Sequence, residues 1–217
     1  MKYIADVAMS AGLNRFVIHE SASQPNDGYL PGLQLFRYGQ WLHRNETWGE
    51  YAWVFTDYLA RSSAMLQQGR PVADILLYYG EDSNITALYG GESFDLLPDV
   101  PSGYEYDFVN PSALLAMDPS ASALKVLWLD GNCETMSLEI LQKIREFADA
   151  GVRIRGAAPV RCAGLKADRK AFRRLVRDIW HSGRANVFST LREALEGTEP
   201  DCLASLDGKE ASPTDFR

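Results

Sequence analysis

Apolar and polar positions divide this chain into two stretches of different character. In the first, a short apolar run, Phe16-Val17-Ile18, ends abruptly in His19, Glu20 and Ser21, the pattern of a buried strand with chemistry at its carboxy-terminal end. Residues 22–40 include Pro25, Asn26, Asp27, Gly28, Pro31 and Gly32 and predict a long loop, which inside a compact domain is usually functional. After Gly49 no Pro or Gly interrupts the chain until Gly69, and Tyr51, Val54, Phe55, Tyr58, Leu59, Ser62, Met65 and Leu66 recur at helical spacing. That spacing predicts one long amphipathic helix over 48–68, capped by Asn45 or Thr47 and closed at Gly69.

From residue 70 the pattern changes to short apolar runs alternating with helical periods. Strands are predicted at 72–79 (VADILLYY), 104–109, 125–130 (KVLWLD), 152–156 and 187–189. Between them, helices are predicted at 111–117, 137–150 with Gly151 as terminator, 168–180 and 190–196. This alternation implies βαβ units and a parallel sheet, so residues 70–200 read as an open, doubly wound α/β domain, while 201–217 read as a polar, frayed tail. The first 69 residues hold too few elements to close a sheet and read as the carboxy-terminal end of a larger domain.

Composition narrows the function classes. The chain has 217 residues, 46% of them hydrophobic, with 22 basic and 29 acidic residues for a net charge of −7. That excess of acid argues against nucleic acid as a partner, since polyanion binding relies on clustered Lys and Arg. No apolar run reaches the ~18 residues of a membrane span, and the amino terminus lacks a signal-peptide core. Cys133, Cys162 and Cys202 are widely spaced and odd in number, which predicts free thiols and no zinc site. GxGxxG and Walker loops are missing, so no nucleotide or flavin is expected.

The richest chemistry lies in residues 19–50. His19 and Glu20 stand at the strand end, and Tyr38, Trp41, His43, Arg44, Asn45, Glu46 and Trp48 crowd eleven positions. Aromatic faces beside carboxylates, amides and an arginine suit a sugar, which offers an apolar face to stack and hydroxyls to bond. Paired carboxyl groups divide the acid and base roles of glycoside hydrolysis. The blander alternative is that Glu46 caps or salt-bridges the start of the long helix while the tryptophans fill a core.

Several blocks resemble glycoside hydrolase family 106, the α-L-rhamnosidases: HESASQP (19–25), YGQWLHRNETWGEYAWVFTDYLARSSAMLQQGRPVADILLYYGED (38–82), GYEYDFVNPSALL (103–115) and LKVLWLDGNCETMSLEILQKIREFADAGVRI (124–154). The resemblance implies a multidomain enzyme whose catalytic (β/α)₈ barrel leads into a flavodoxin-like or amidotransferase-like α/β domain. Residues 14–20 would then be a late barrel strand, 48–68 the last barrel helix and 70–200 the accessory domain. It further implies inverting hydrolysis of terminal α-L-rhamnosides, with calcium at the sugar. Glu20 would be the general base and Glu46 a second carboxylate, chiefly in substrate contact. His19, Tyr38, Trp41, Arg44, Asn45 and Trp48 would contact substrate, and Ser23 stands where a second histidine is expected. The acid catalyst would come from an earlier strand, outside this chain. Expected partners are a rhamnose-containing glycan and either the rest of the catalytic domain or a homo-oligomer. Relatives are commonly secreted or periplasmic, but no signal here carries that over.

Three further features read as structural. Cys133 follows the strand KVLWLD at a strand-to-helix turn, where amidotransferases keep a nucleophile, yet Thr135 replaces the glycine of a tight elbow; with His181 at a helix end, a structural thiol is expected. The acids Glu81, Asp82, Glu92, Asp95 and Asp99 lack the alternation of a calcium loop and read as turn acids. Arg169, Lys170, Arg173, Arg174, Arg177 and Arg184 read as the solvated face of a surface helix. A second reading of the whole chain is a non-catalytic module for carbohydrate binding or assembly. The two readings differ in one observable: a piece of a larger domain leaves apolar residues exposed at Val17, Ile18 and along the 48–68 helix.

Overall fold

Short, almost wholly apolar strands such as Ile75-Leu76-Leu77-Tyr78 bury both faces, and in the computed structural model they form the centre of an α/β unit. The structure describes residues 1–10, 12–18, 21–26, 28–33, 42–69, 72–81, 100–121, 123–131, 133–183, 186–203, 205–206 and 208–210. The chain divides into two compact units, Met1–Pro71 and Val72–Arg217.

In the carboxy-terminal unit, strands β1 (Ile75–Tyr78), β2 (Tyr106–Val109), β3 (Val126–Leu129), β5 (Arg153–Arg155) and β7 (Val187–Phe188) make one sheet in the order β2-β1-β3-β5-β7. Every pairing in it is parallel. Renumbering these five strands along the chain gives the order 2-1-3-4-5. The period-2 alternation of each strand sends its side chains to opposite faces. Leu76, Tyr78, Leu127, Leu129 and Ile154 pack against α3 (Pro111–Ala116), α4 (Leu138–Asp149) and α5 (Arg169–Val176). Ile75 and Val126 pack against Leu191, Ala194 and Leu195 of α6 (Leu191–Leu195) on the other face.

The helices start where short polar side chains satisfy their first free amides. Asn110 accepts from Ala113 N ahead of Pro111, Ser137 from Ile140 N, and Asp168 from Lys170 N and Ala171 N. Thr190 and Glu193 close a reciprocal capping box on α6. The final turn of α5 widens into a π turn over Arg177–His181, which seats Ile179 in the core and lets Trp180 Nε1 donate to Gly156 O at 3.0 Å.

Two small sheets were not legible in the periodicity. A parallel pair joins β4 (Thr135–Met136) to β6 (Arg161–Cys162), and β8 (Ser205–Leu206) pairs antiparallel with β9 (Lys209–Glu210). Two-residue strands carry too little pattern to announce themselves. The expected frayed tail is in part tethered: Asp201 N and Cys202 N donate to Gly103 O, and Tyr104 OH donates to Thr198 O at 2.6 Å. Lys125 Nζ reaches Glu199 O at 2.9 Å, Asp201 at 3.5 Å and the buried Asp74 at 2.7 Å.

The amino-terminal unit departs from expectation in three places. Lys2–Ser10, where the sequence predicts no element, is a helix, α1. Its Asp6 is held below the usual carboxylate range by Lys2 at 2.6 Å and by the Tyr58 hydroxyl, which donates to it. Residues 14–18 form no strand, and Val17 stays 92% exposed. A strand exists only by pairing, and the described residues of this unit contain no other strand to pair with. The long helix is α2 (Ala52–Leu66), entered through a 3₁₀ turn at Gly49–Tyr51, and neither Asn45 nor Thr47 caps it. It leaves Tyr51, Trp53, Val54, Met65 and Leu66 exposed.

Candidate functional site

The turn ahead of α2 brings the HESASQP and RNETW runs to one cavity. This hollow of about 590 Å³ is lined by Ser21, Ser23 and Gln24 on one side and by His43, Arg44, Glu46 and Trp48 on the other, with Ala52 and Thr56 from α2. Tight turns fold the RNETW run: Glu46 N donates to His43 O, and Gly49 N to Glu46 O.

Gln24 is the organising side chain. It is buried, and its amide bonds across the loop both ways, Oε1 accepting from Leu33 N at 2.9 Å and Nε2 donating to Leu33 O at 2.6 Å. Gly32 lies beside it at φ +96°, where a Cβ would overlap Gln24 Oε1, so glycine is required there. Arg44 Nη2 donates to Gln24 O at 2.6 Å, and Asn45 Nδ2 to Pro31 O at 3.3 Å. These bonds hold the two runs together around the buried Gln24, whose amide oxygen and nitrogen both find partners.

His43 and Glu46 form the ionisable core of the cavity. His43 Nδ1 accepts from Asn45 N at 3.2 Å, so the neutral ring carries its proton on Nε2. That atom is buried without a hydrogen-bond partner and lies 3.6 Å from Glu46 Oε1. The spacing is too long for a hydrogen bond but close enough for an ion pair once the ring is protonated. Glu46 makes no capping bond to the helix that follows, and its carboxylate lines the cavity beside His43.

Of the predicted site residues, Arg44, Glu46 and Trp48 are brought together on the cavity wall, and Asn45 braces the loop behind it. His19, Glu20, Tyr38 and Trp41 lie outside the described residues, although Ser21 and Leu42, their neighbours in sequence, line the cavity. Gln24 has no role in the sequence reading, and His43 stands there only as one of the crowded positions at 38–48, with no role assigned. Their sequence signal was only membership of the two polar runs, because what distinguishes them is burial.

Calcium requires six to eight oxygen ligands, usually with several carboxylates. The described residues bring one carboxylate, Glu46, to this cavity, and among them no group of three or more His, Cys, Asp or Glu could hold a metal. They do not by themselves make a calcium site. Of the acidic run at 81–99, only Glu81 is described; it accepts from Ser137 N at the start of α4.

In the carboxy-terminal unit, the turn after β3 is closed. Cys133 is 4% exposed, its thiol donates to Tyr78 O at 3.4 Å, and burial, with Asp130 nearby, pushes its pKa up to about 12. A nucleophilic cysteine needs the opposite environment, so this thiol is structural.

The family model described as alpha-L-rhamnosidase matches residues 1–207. A protein of Formosa agariphila described as "Putative beta-glucuronidase" is 34% identical over 175 residues, covering 76% of this chain and 14% of that protein. The structure of a rhamnosidase from Novosphingobium sp. PP1Y matches with a TM-score of 0.72 and 34% identity, over 85% of this chain and 19% of its own. The chain thus spans less than a fifth of the length of either relative.

Proposed function

The chain belongs to glycoside hydrolase family 106, the alpha-L-rhamnosidases, and on that premise we propose that it is a portion of an inverting rhamnosidase acting on a rhamnose-containing glycan. It carries one edge of the active site and the α/β domain that follows in sequence. The observation that carries this reading is the cavity itself, where Arg44, Glu46 and Trp48 of the RNETW run face Ser21, Ser23 and Gln24 of the HESASQP run. Two family-like blocks separated by a long loop converge on one polar hollow with an aromatic wall.

In this reading Trp48 stacks on the apolar face of the sugar, with Tyr38 and Trp41 as further aromatic contacts. Arg44 and His19 orient its hydroxyls, and Asn45, bonded to Pro31 O, braces the loop that carries them. Glu20 takes a proton from the attacking water, and Glu46, held against His43, contacts substrate. Inversion needs a second carboxyl group about 6.5–9.5 Å from the base, and the general acid comes from a strand outside the chain. Calcium enters as the ion the family implies, with its remaining ligands outside the described residues and no step assigned to it.

Two features support the larger architecture. The exposed Val17, Ile18, Tyr51, Trp53, Val54, Met65 and Leu66 suit the last helix of a (β/α)₈ barrel and a segment, unpaired here, that would become a strand only against the barrel's other strands. The strand order 2-1-3-4-5 of the second unit suits a flavodoxin-like accessory domain. Those same exposed side chains weigh against an independent binding module.

The test pairs hydrolysis of an aryl α-L-rhamnoside with titration of L-rhamnose, with and without calcium. The chain alone should show no turnover, and rhamnose binding should be lost in Trp48→Ala. Turnover that Glu20→Gln abolishes would show that a complete site assembles here and would overturn the portion reading. Failure to bind rhamnose under either condition would overturn the site assignment.

A further inference from the structure

The net charge of −7 conceals a sharp segregation. Residues 161–184 hold eight basic and two acidic residues, a local charge of +6, so the rest of the chain carries −13. At 100° per residue, Arg169, Lys170, Arg173, Arg174 and Arg177 fall within an arc of about 140° on α5 and its π turn, over roughly 12 Å of axis. All five are exposed, while Phe172 and Ile179 hold the opposite side in the core.

What sets these cations apart is their clustering, since Arg15, Lys166 and Arg192 outside α5 likewise have no ion pair or side-chain hydrogen bond among the described residues. Lys2, Arg61, Lys143, Arg145 and Arg161 each pair with a carboxylate, and Arg153 bonds the carbonyls of Ala194 and Glu196. Among the described residues, none of the five on α5 has an ion pair or side-chain hydrogen bond. The acids flanking them are committed elsewhere. Asp168 accepts two backbone amides as the helix cap, and Asp178 acts on Arg145 of α4. Five like charges at i, i+4 spacing repel one another, a cost that an anionic partner removes.

Building on the glycan-hydrolase reading, we propose that this face of α5 is a second, non-catalytic docking surface for a carboxylated polysaccharide. Four of the five cations are arginines, whose planar guanidinium pairs a carboxylate through two parallel hydrogen bonds. Among the described residues the exposed ring on this face is His181 at the end of the π turn, while Phe172 is buried and the Trp180 indole is bonded to Gly156 O. One imidazole does not make the row of rings on which successive bases stack, the main grip on single-stranded nucleic acid. A duplex, with one charge per ~1.7 Å, would meet the repulsion of the −13 remainder most strongly. A chain of spaced uronate carboxylates matches spaced arginines and attracts less of that repulsion.

The test is retention of the 217-residue chain in native gels containing polygalacturonate, at about 20 mM and about 200 mM salt, with neutral dextran as control. Retention should occur in polygalacturonate alone, fall with salt, and weaken about tenfold in R173Q/R174Q/R177Q, while R173K/R174K/R177K keeps part of it. Matching circular dichroism would show that the exposed substitutions leave the fold intact. Equal retention of the glutamine variant, or none for the wild type, would overturn the proposal. So would tighter binding of duplex DNA, or self-association that the glutamine variant loses without any polygalacturonate binding. Rhamnose binding is read separately and should not change in either variant, so the failure of one site does not mimic the failure of the other.

Discussion

Replacing Lys125 by methionine keeps the aliphatic stem and deletes one charge, leaving Asp74 buried with nothing to balance it. Asp74 is 2% exposed; its Oδ1 lies 2.7 Å from Lys125 Nζ and its Oδ2 has no hydrogen-bond partner. Burial already lifts its pKa above the ordinary 3.8 despite the pull of Lys125, and the nearby Asp201 adds to the lift. Removing one partner of a buried pair costs about 3–5 kcal/mol. Lys125 is about a quarter exposed, which places the loss near the lower end. A ceiling follows from protonation: holding Asp74 neutral at about pH 7 against an unfolded value of 3.8 costs about 4 kcal/mol, at 1.36 kcal/mol per pH unit. The lost bond to Glu199 O adds about 1 kcal/mol. The expected destabilisation is about 3 kcal/mol at pH ~7 and about 1 kcal/mol at pH ~4.

The sign of that pH dependence is set by linkage. A carboxyl whose folded pKa is raised binds more protons folded than unfolded between the two values, so its contribution is present below the unfolded value and lost as pH rises through the folded one. Lys125→Met raises Asp74 further and steepens that loss. Urea unfolding at both pH values, with amide exchange of β1 and β3 reporting this unit alone, measures it. The double variant D74N/K125M should recover most of the loss. An equal penalty at both pH values, or no recovery in the double variant, would refute the argument.

The other expectations concern the core and the thiols. In the native wild type, iodoacetamide at neutral pH should label exposed Cys202 first, half-buried Cys162 more slowly and Cys133 not at all, with peptide mapping as readout. Gly156→Ala places a Cβ 2.8 Å from Leu129 Cβ and 2.9 Å from Leu129 O at φ +138°, and should cost about 1–3 kcal/mol by urea unfolding. Phe147→Ala empties a fully buried site in α4 and should cost about 3–5 kcal/mol by the same measurement. In alkaline solution Lys125, whose pKa Asp74 holds above 10.5, contributes stability that is intact below that value and lost as pH rises through its folded pKa; wild type should therefore lose stability there more steeply than K125M.

What the sequence determined by itself is local. The strands β1, β3 and β5 and the helices α4 and α5 were legible because apolar period and terminating residues act within a few positions of the chain. The polar runs at 19–25 and 44–48 point to a candidate site for the same reason, and residues of both line one cavity. Tertiary structure decided whatever depends on partners distant in sequence. Phe16-Val17-Ile18 has the composition of a strand, yet none forms, because a strand is made by its neighbours' hydrogen bonds. The strand order, the inertness of Cys133, the isolation of Asp74 with Lys125 and the role of Gln24 all arise from burial. Burial changes the cost of an unpaired polar group by several kcal/mol, and spacing along a chain does not encode which groups will be taken out of water.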